Sequence, residues 1–358
     1  MADPAATTKV CVTGGSGYIG SSLVKRLLEK GYVVHATLRN LKDNSKVDLL
    51  KSLPGAETRL VLFQADIYSP DEFQAGIKGC QYVFHVATPQ QIESPNSKYK
   101  DTTEAAVAGV KSIADTCIRS GTVKRLIYTA SVMSTSPMKE DGSGYKPYMD
   151  ESCWTSLNLS FPYSSDYTLA YTRSKTIAEK EILSYNDKQN CSIEIVTLAC
   201  GLVGGDTLLP FAPLSVQTMA SPLTGNKDVY TNGLMFMQGV LGTVPIVHIE
   251  DVCEAHIFCM ERESIKGRFI CSATDFTVAE IAMFYQKKYP EIKIADGFMG
   301  EGAEKESRCD SSKLKDLGFE YKHDAERILK DNVETMLRLD VGTAATLLST
   351  TREAKQNA

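Results

Sequence analysis

No apolar run in this chain of 358 residues approaches the roughly 18 that a membrane-crossing helix needs. Met1 to Thr8 also lack the apolar core of a secretory leader. Lysines and arginines form no runs, and the net charge is −5 with a pI of about 5.7. That balance leaves no electrostatic footprint for nucleic acid or anionic lipid. Histidine is scarce, five in all and none at ligand spacing, so no catalytic metal is expected. The ten cysteines include no C-x-x-C pair, which excludes the common zinc and redox motifs. Several of them, Cys11, Cys200 and Cys271, fall inside apparent core strands and read as small buried hydrophobes in a reducing compartment. Repeats and low-complexity segments are absent too. What is present is an ordinary globular balance, 43% hydrophobic and 23% charged, in a chain long enough for one large domain or two sharing a core. The expectation is a soluble cytoplasmic protein with neither a nucleic-acid partner nor a membrane span.

The first two hundred residues alternate short β-branched runs with amphipathic stretches of helical length. Strands are expected at Lys9–Thr13, Val33–Arg39, Arg59–Ala65, Tyr82–Ala87, Arg125–Ala130 and Glu194–Ala199. Helices are expected near Ser21–Lys30, Pro70–Gly79, Asp101–Ser120 and Tyr167–Tyr185. Continuous apolar strands separated by helices indicate a parallel sheet covered on both faces, with ligands at the carboxyl ends of its strands. From Gly204 to about Thr243 the pattern breaks, and Pro210, Pro213 and Pro222 suggest loops with one short helix. A strand near Pro245–Ile249, a helix at Glu250–Arg262 and a strand at Gly267–Cys271 return to the first pattern. Phe276–Tyr289 and His323–Leu339 read as helices of a smaller lobe. The expected fold is therefore α/β, a doubly wound parallel (Rossmann) sheet with a smaller C-terminal substrate lobe. Its nucleotide-binding domain would take 1–203 and about 244–271, its substrate-binding lobe 204–243 and 272–340, and a flexible tail 341–358.

Val10-Cys11-Val12-Thr13-Gly14-Gly15-Ser16-Gly17-Tyr18-Ile19-Gly20 reads as strand, glycine-rich turn and helix start. In such a motif Gly14 bends the chain, Gly17 lets the backbone approach a diphosphate, and Gly20 lets the helix pack against the sheet. With Tyr18 and Ile19 they present amides at a helix amino terminus, where an anion is favoured. The end of the second strand selects the dinucleotide. NAD-specific sites place a carboxylate there, whereas this chain reads Thr37-Leu38-Arg39-Asn40. The Arg39 fork suits the 2′-phosphate of NADPH, and Lys46 is a second candidate cation. Asp66, followed by Ile67, either accepts a bond from the adenine amino group or starts a helix.

Tyr171 and Lys175, four apart in a helical stretch that Ala178 and Ile182 continue on the same face, place a phenol beside an ammonium. A phenol titrates near ~10, and a neighbouring cation lowers that value toward useful acid–base range. Ser131 closes an apolar strand at the same sheet edge, and its hydroxyl can bond a substrate oxygen.

Turn, Arg39, Ser131, Tyr171 and Lys175, in that order, resemble the extended short-chain dehydrogenase/reductases. Further segments resemble the plant branch holding dihydroflavonol 4-reductase, anthocyanidin reductase, vestitone reductase and cinnamoyl-CoA reductase. They are Phe84-His85-Val86-Ala87-Thr88-Pro89, Val123-Lys124-Arg125, Asp150-Glu151-Ser152-Cys153-Trp154 and Ser174-Lys175-Thr176-Ile177-Ala178-Glu179. His248-Ile249-Glu250-Asp251-Val252-Cys253, Ala255-His256-Ile257 and Gly267-Arg268-Phe269-Ile270-Cys271 extend the likeness, which runs from about Lys9 to Leu339. The resemblance implies that Val86, Ala87 and Thr88 line the nicotinamide ribose, that Tyr171 and Lys175 bond it, and that His248 and Asp251 lie where the lobes join. Dihydroflavonol reductases place a ring-contacting Asn where this chain has Ser136, which marks Ser136, with Ser131 and Tyr171, as substrate-facing. Ala199-Cys200-Gly201 stands where the family normally has Pro-Thr-Leu. Within the branch, Leu223–Asn226 and Met237–Gly242 look most like anthocyanidin reductase. That type implies NADPH-dependent reduction of a flavonoid, an anthocyanidin to a flavan-3-ol. The alternatives are reduction of a dihydroflavonol, a flavanone or a related plant carbonyl compound, and an NADP-binding sensor without turnover.

Overall fold

A computed structural model describes residues 7–89, 98–189, 191–292, 294, 298 and 304–341. The expected tail lies outside the described residues apart from Val341. The strands among the described residues are β1 Lys9–Thr13, β2 Val33–Leu38, β3 Leu60–Gln64, β4 Tyr82–His85, β5 Arg125–Ser131, β6 Tyr148–Met149, β7 Glu194–Cys200, β8 Leu202–Gly204, β9 Val244–His248, β10 Gly267–Cys271, β11 Thr274–Phe276 and β12 Arg308–Cys309. The helices needed below are α1 Tyr18–Glu29, α2 Asn44–Lys51, α3 Ala56–Arg59, α4 Phe73–Ile77, α5 Thr102–Ser120, α6 Asp166–Leu183 and α7 Leu214–Thr224.

Seven strands form one parallel sheet in the order β10-β7-β5-β4-β1-β2-β3. Val10, Cys11 and Val12 of β1 are all fully buried. A central strand covered on both faces has no polar side to show, hence the unbroken apolar runs. Helix α1 buries Leu23, Val24, Leu27 and Leu28 completely. That stripe follows the helical period, and each such side chain contributes about 1.5–3 kcal/mol. All ten cysteines are free thiols and eight are buried. Burial pushes the Cys80 thiol up to about 12, as expected of inert core residues.

Contacts divide the chain into two compact units. The first comprises Met1–Ser134, Ala170–Ala199 and Val252–Phe269; the second comprises Thr135–Leu169, Cys200–Asp251 and Ile270–Ala358. The division differs from the sequence expectation at two places. Residues 135–169 leave the first unit, and β9 joins β8 and β11 in a separate three-stranded sheet rather than the main one. At Gly201, between β7 and β8, the chain passes so close to β9 that a Cβ would sit 2.8 Å from the Pro245 carbonyl oxygen.

The region 204–243, expected as loops with one short helix, is largely helical: α7 is followed by turns at Lys227–Val229, Tyr230–Met235 and Phe236–Leu241. Pro222 lies inside α7 and cannot donate to the Thr218 carbonyl four residues back. The Ser221 hydroxyl donates to that carbonyl instead, at 2.7 Å. The helix therefore runs past its proline.

Candidate active site

The chain crosses from β3 at the sheet edge to β4 on the far side of β1. Loops leaving the carboxyl ends of β1 and β4 therefore diverge, making the crevice where α/β sheets take ligands. The glycine turn follows β1, and Val86-Ala87-Thr88 follows β4. Gly14 has φ +67°, and a Cβ there would lie 3.0 Å from the Ala87 Cα. Both a bend and a close approach thus require glycine. The Gly15 amide donates to the Thr37 carbonyl at 2.9 Å and that of Gly14 to the Thr37 hydroxyl at 3.3 Å, which ties the turn to β2. Two assignments change here. Gly20 is required by the turn itself, because its Cβ would fall 2.1 Å from the Gly14 carbonyl oxygen. The glycine pressed against the neighbouring strand is Gly15, whose Cβ would meet that of Ala36 at 2.9 Å. Gly17 takes the N-cap position of α1 without a side-chain cap, and Tyr18, Ile19 and Gly20 open a helix with no acidic residue in its first turn. Its amide dipoles therefore face an anion site uncompensated.

Thr13 was not singled out in the sequence. Its Oγ1 accepts from the amides of Val86 and Ala87, both at 3.1 Å, and lies 2.9 Å from His85 Nδ1. An oxygen accepting from two amides has its own proton left to give, so Thr13 donates to His85 Nδ1 and the ring carries its proton on Nε2. Burial, with Lys175 adding to it, pulls the His85 imidazole down to about 3.

Arg39 follows β2 and is exposed. Lys46, on α2, is paired with Asp43 at 2.9 Å. Asp66 follows β3; its Oδ1 accepts from the Tyr68 amide at 3.0 Å and its carbonyl from the Ser69 amide at 2.9 Å. It opens a turn rather than capping a helix. Ile67 is buried, with its Cδ1 2.5 Å from where a Cβ on Gly109 of α5 would stand.

Helix α6 carries both Tyr171 and Lys175. Lys175 is 4% exposed, and its Nζ donates to Thr88 Oγ1 and to the Thr129 carbonyl, each at 2.8 Å. It stands 5.2 Å from the centre of the Tyr128 ring. The ammonium thus joins the loop after β4, strand β5 and α6 at one point. Burial first, then Glu179 and Tyr171, push the Tyr128 phenol upward. Ser131 ends β5, 8% exposed, and its Oγ accepts from the Met133 amide at 3.2 Å. Thr129, also missed, is held on its side-chain oxygen by His256 Nε2 at 2.8 Å. His256 Nδ1 lies 2.7 Å from the Val252 carbonyl, so Nδ1 carries the proton and Nε2 accepts from Thr129.

Ser136 belongs to the second unit and is 2% exposed; its hydroxyl donates to the Val240 carbonyl and accepts from the Met138 amide at 3.2 Å, which leaves its oxygen one lone pair for a further donor. Asp251 accepts from the Lys322 and His323 amides at 3.0 and 3.1 Å, a structural duty.

Residues 10–271 match the model of the NAD dependent epimerase/dehydratase family. The chain is 37% identical to anthocyanidin reductase ((2S)-flavan-3-ol-forming) of Vitis vinifera, over 92% of this chain and 96% of that one. It is 38% identical to dihydroflavonol 4-reductase of Callistephus chinensis, over 91% and 85%. Vestitone reductase from alfalfa superposes with a TM-score of 0.74 at 32% identity, covering 92% of this chain and 98% of that one. With this turn, this crevice and these relatives, the chain belongs to the NAD dependent epimerase/dehydratase family, alongside the plant anthocyanidin and dihydroflavonol reductases.

Proposed function

We propose that the chain is an NADPH-dependent reductase of a flavonoid, of the anthocyanidin-reductase type, with Tyr171 as proton donor. The observation that carries the reading is the buried Lys175 ammonium, fixed between Thr88 and the Thr129 carbonyl on the helix that bears Tyr171. The grape relative forms a flavan-3-ol, which supports the substrate class. The nucleotide site lies in the first unit, which holds the glycine turn, the loop after β4 and α6 from Ala170 on.

The residues present fit NADPH. Glycine is the only residue the turn accommodates at Gly14 and Gly20, and the uncapped start of α1 leaves amides for a diphosphate. Gly14, Gly17, Tyr18, Ile19 and Gly20 hold that group through the main chain. Arg39, with Lys46 as the second cation, takes the 2′-phosphate, and Asp66 and Ile67 border the adenine. Val86, Ala87 and Thr88 border the nicotinamide ribose, which Tyr171 and Lys175 bond. The bound cofactor supplies a hydride. The Tyr171 hydroxyl gives a proton to the substrate, and the Lys175 ammonium stabilises the phenolate left behind. The Ser131 hydroxyl donates to the substrate oxygen as charge develops there.

Incubation with NADPH and, separately, cyanidin, dihydroquercetin, naringenin and coniferaldehyde tests the reading. Cyanidin-dependent NADPH oxidation with a flavan-3-ol product is expected. Oxidation with the carbonyl compounds alone would reassign the substrate, and tight NADPH binding without any turnover would make the chain a sensor. Arg39→Ala is expected to weaken NADPH about 10- to 100-fold, the worth of a charge-assisted bond to phosphate. NADH should change less than about threefold, since it offers the guanidinium no phosphate. Equal losses in titrations of the two cofactors would refute the role.

A further inference from the structure

The buried face of α6 is polar: Thr172, Ser174, Lys175, Thr176 and Glu179 all lie on it. Glu179 has no exposed surface. A carboxylate in that position is tolerated only when paired and hydrogen-bonded. Arg268 of β10, itself 5% exposed, supplies the pair, with Nε 3.0 Å from Oε1 and Nη2 3.2 Å from Oε2. Thr197 of β7 donates to Oε1 at 2.7 Å, and the Ser134 hydroxyl lies against Oε2. Arg268 Nη2 also reaches the Ser134 carbonyl at 3.0 Å and its hydroxyl at 3.1 Å. The Ser134 hydroxyl in turn stands 2.6 Å from the Ser131 carbonyl, and its single proton serves that oxygen or Glu179 at any moment.

The chain topology gives this network its meaning. Backbone leaves the first unit after Ser134 and returns to it at Ala170, having passed through the second unit between. Ser131 lies just before the exit and Tyr171 just after the return. Two groups that must meet one substrate oxygen to within about 0.5 Å are thus separated along the chain by a long excursion. Hydrophobic packing stabilises as well as a buried ion pair does but does not fix direction. The forked Arg268–Glu179 pair does.

We infer that Glu179, Arg268 and Ser134 form a cross-link that positions Tyr171 and Lys175 of α6 against Ser131 of β5. The inference rests on the reductase function proposed above. These are positioning residues, since none of the three is placed against substrate or cofactor. Glu179→Gln keeps the shape but weakens the fork, and Ser134→Ala removes the bridge while sparing the ion pair. In the full chain, both variants are expected to keep NADPH Kd and flavonoid KM within about twofold. Their kcat should fall about 10- to 100-fold, the cost of displacing reacting groups by fractions of an ångström to an ångström. The limb of the kcat–pH profile that Tyr171→Phe abolishes should shift in both variants. If Glu179→Gln does not fold, Ser134→Ala with native near-ultraviolet circular dichroism decides. A lower Tm with unchanged kcat in the folded protein, and an unmoved pH profile, would overturn the inference and leave the network purely structural. Tyr171→Phe measured in parallel separates the two claims. If that variant is inactive while the other two keep kcat, the cross-link alone is wrong; if it stays active, the proton-donor reading falls and the cross-link with it.

Discussion

Tyr171→Phe is expected to lower kcat about 10²- to 10⁴-fold, the usual contribution of a positioned general acid. NADPH affinity should fall no more than about tenfold, the worth of one ribose hydrogen bond, and the fold should barely change. The substitution removes one oxygen and keeps the ring, and Tyr171 is only partly buried, so little packing is lost. The chemical loss is larger, because the other phenol beside this ammonium is poorly placed to ionise. Tyr128, whose ring centre lies 5.2 Å from the same ammonium, is buried and its ionisation is pushed upward. Lys175 stabilises whichever anion forms beside it, yet its two described bonds, to Thr88 Oγ1 and the Thr129 carbonyl, are to neutral acceptors. A cation fixed at that point favours a phenolate formed within reach of its field. Single-turnover oxidation of NADPH under saturating flavonoid isolates the chemical step. A rate within about threefold of the wild type, below the effect of any general acid, would assign the proton to a different donor.

Sequence reasoning saw the features whose causes are local. Unbroken apolar runs bounded by glycine gave strands within a residue or two, because a buried parallel strand has no alternative composition. The glycine turn and the Tyr–Lys spacing were legible because each is complete within a dozen residues. Partnerships across the chain were not. Glu179 and Arg268 appeared only as letters in two matching segments, and nothing local says that residues 89 apart share a fork. The hint available was periodicity: Glu179 lies four residues beyond Lys175, on the face that Ala178 and Ile182 mark as buried. A carboxylate there demands a cation. Pro222 misled for the converse reason, since its effect on α7 is cancelled by a hydroxyl next to it.

Acidification is expected to destabilise the first unit steeply between about pH 6.5 and 4.5, and two histidines set the window. Burial brings His85 down to about 3, with the nearby Lys175 charge adding to it, and burial brings His256 down to about 4. Both folded values lie below the ordinary imidazole value near ~6.5. In that interval the unfolded chain binds protons that the folded chain refuses, so stability is complete above the ordinary value and declines as pH falls toward the folded ones. Each histidine gives up about 1.4 kcal/mol per pH unit, and two of them over two units lose about 5 kcal/mol. That is comparable with the whole stability of many domains. The hydrogen bonds give the same sign independently. A proton on His85 Nδ1 removes the acceptor for the Thr13 hydroxyl, and Thr13 holds the Val86 and Ala87 amides at the cofactor crevice. Loss of NADPH affinity should therefore accompany the loss of stability. Urea unfolding at pH 7 and pH 4.5 measures the change. His85→Asn, whose amide oxygen can stand in for Nδ1 as acceptor, should start from lower stability at pH 7 but show a clearly smaller loss, having one depressed imidazole fewer while His256 and His35 remain. Equal pH dependence in the wild type and in His85→Asn would show that His85 titrates normally and is not held neutral by its surroundings.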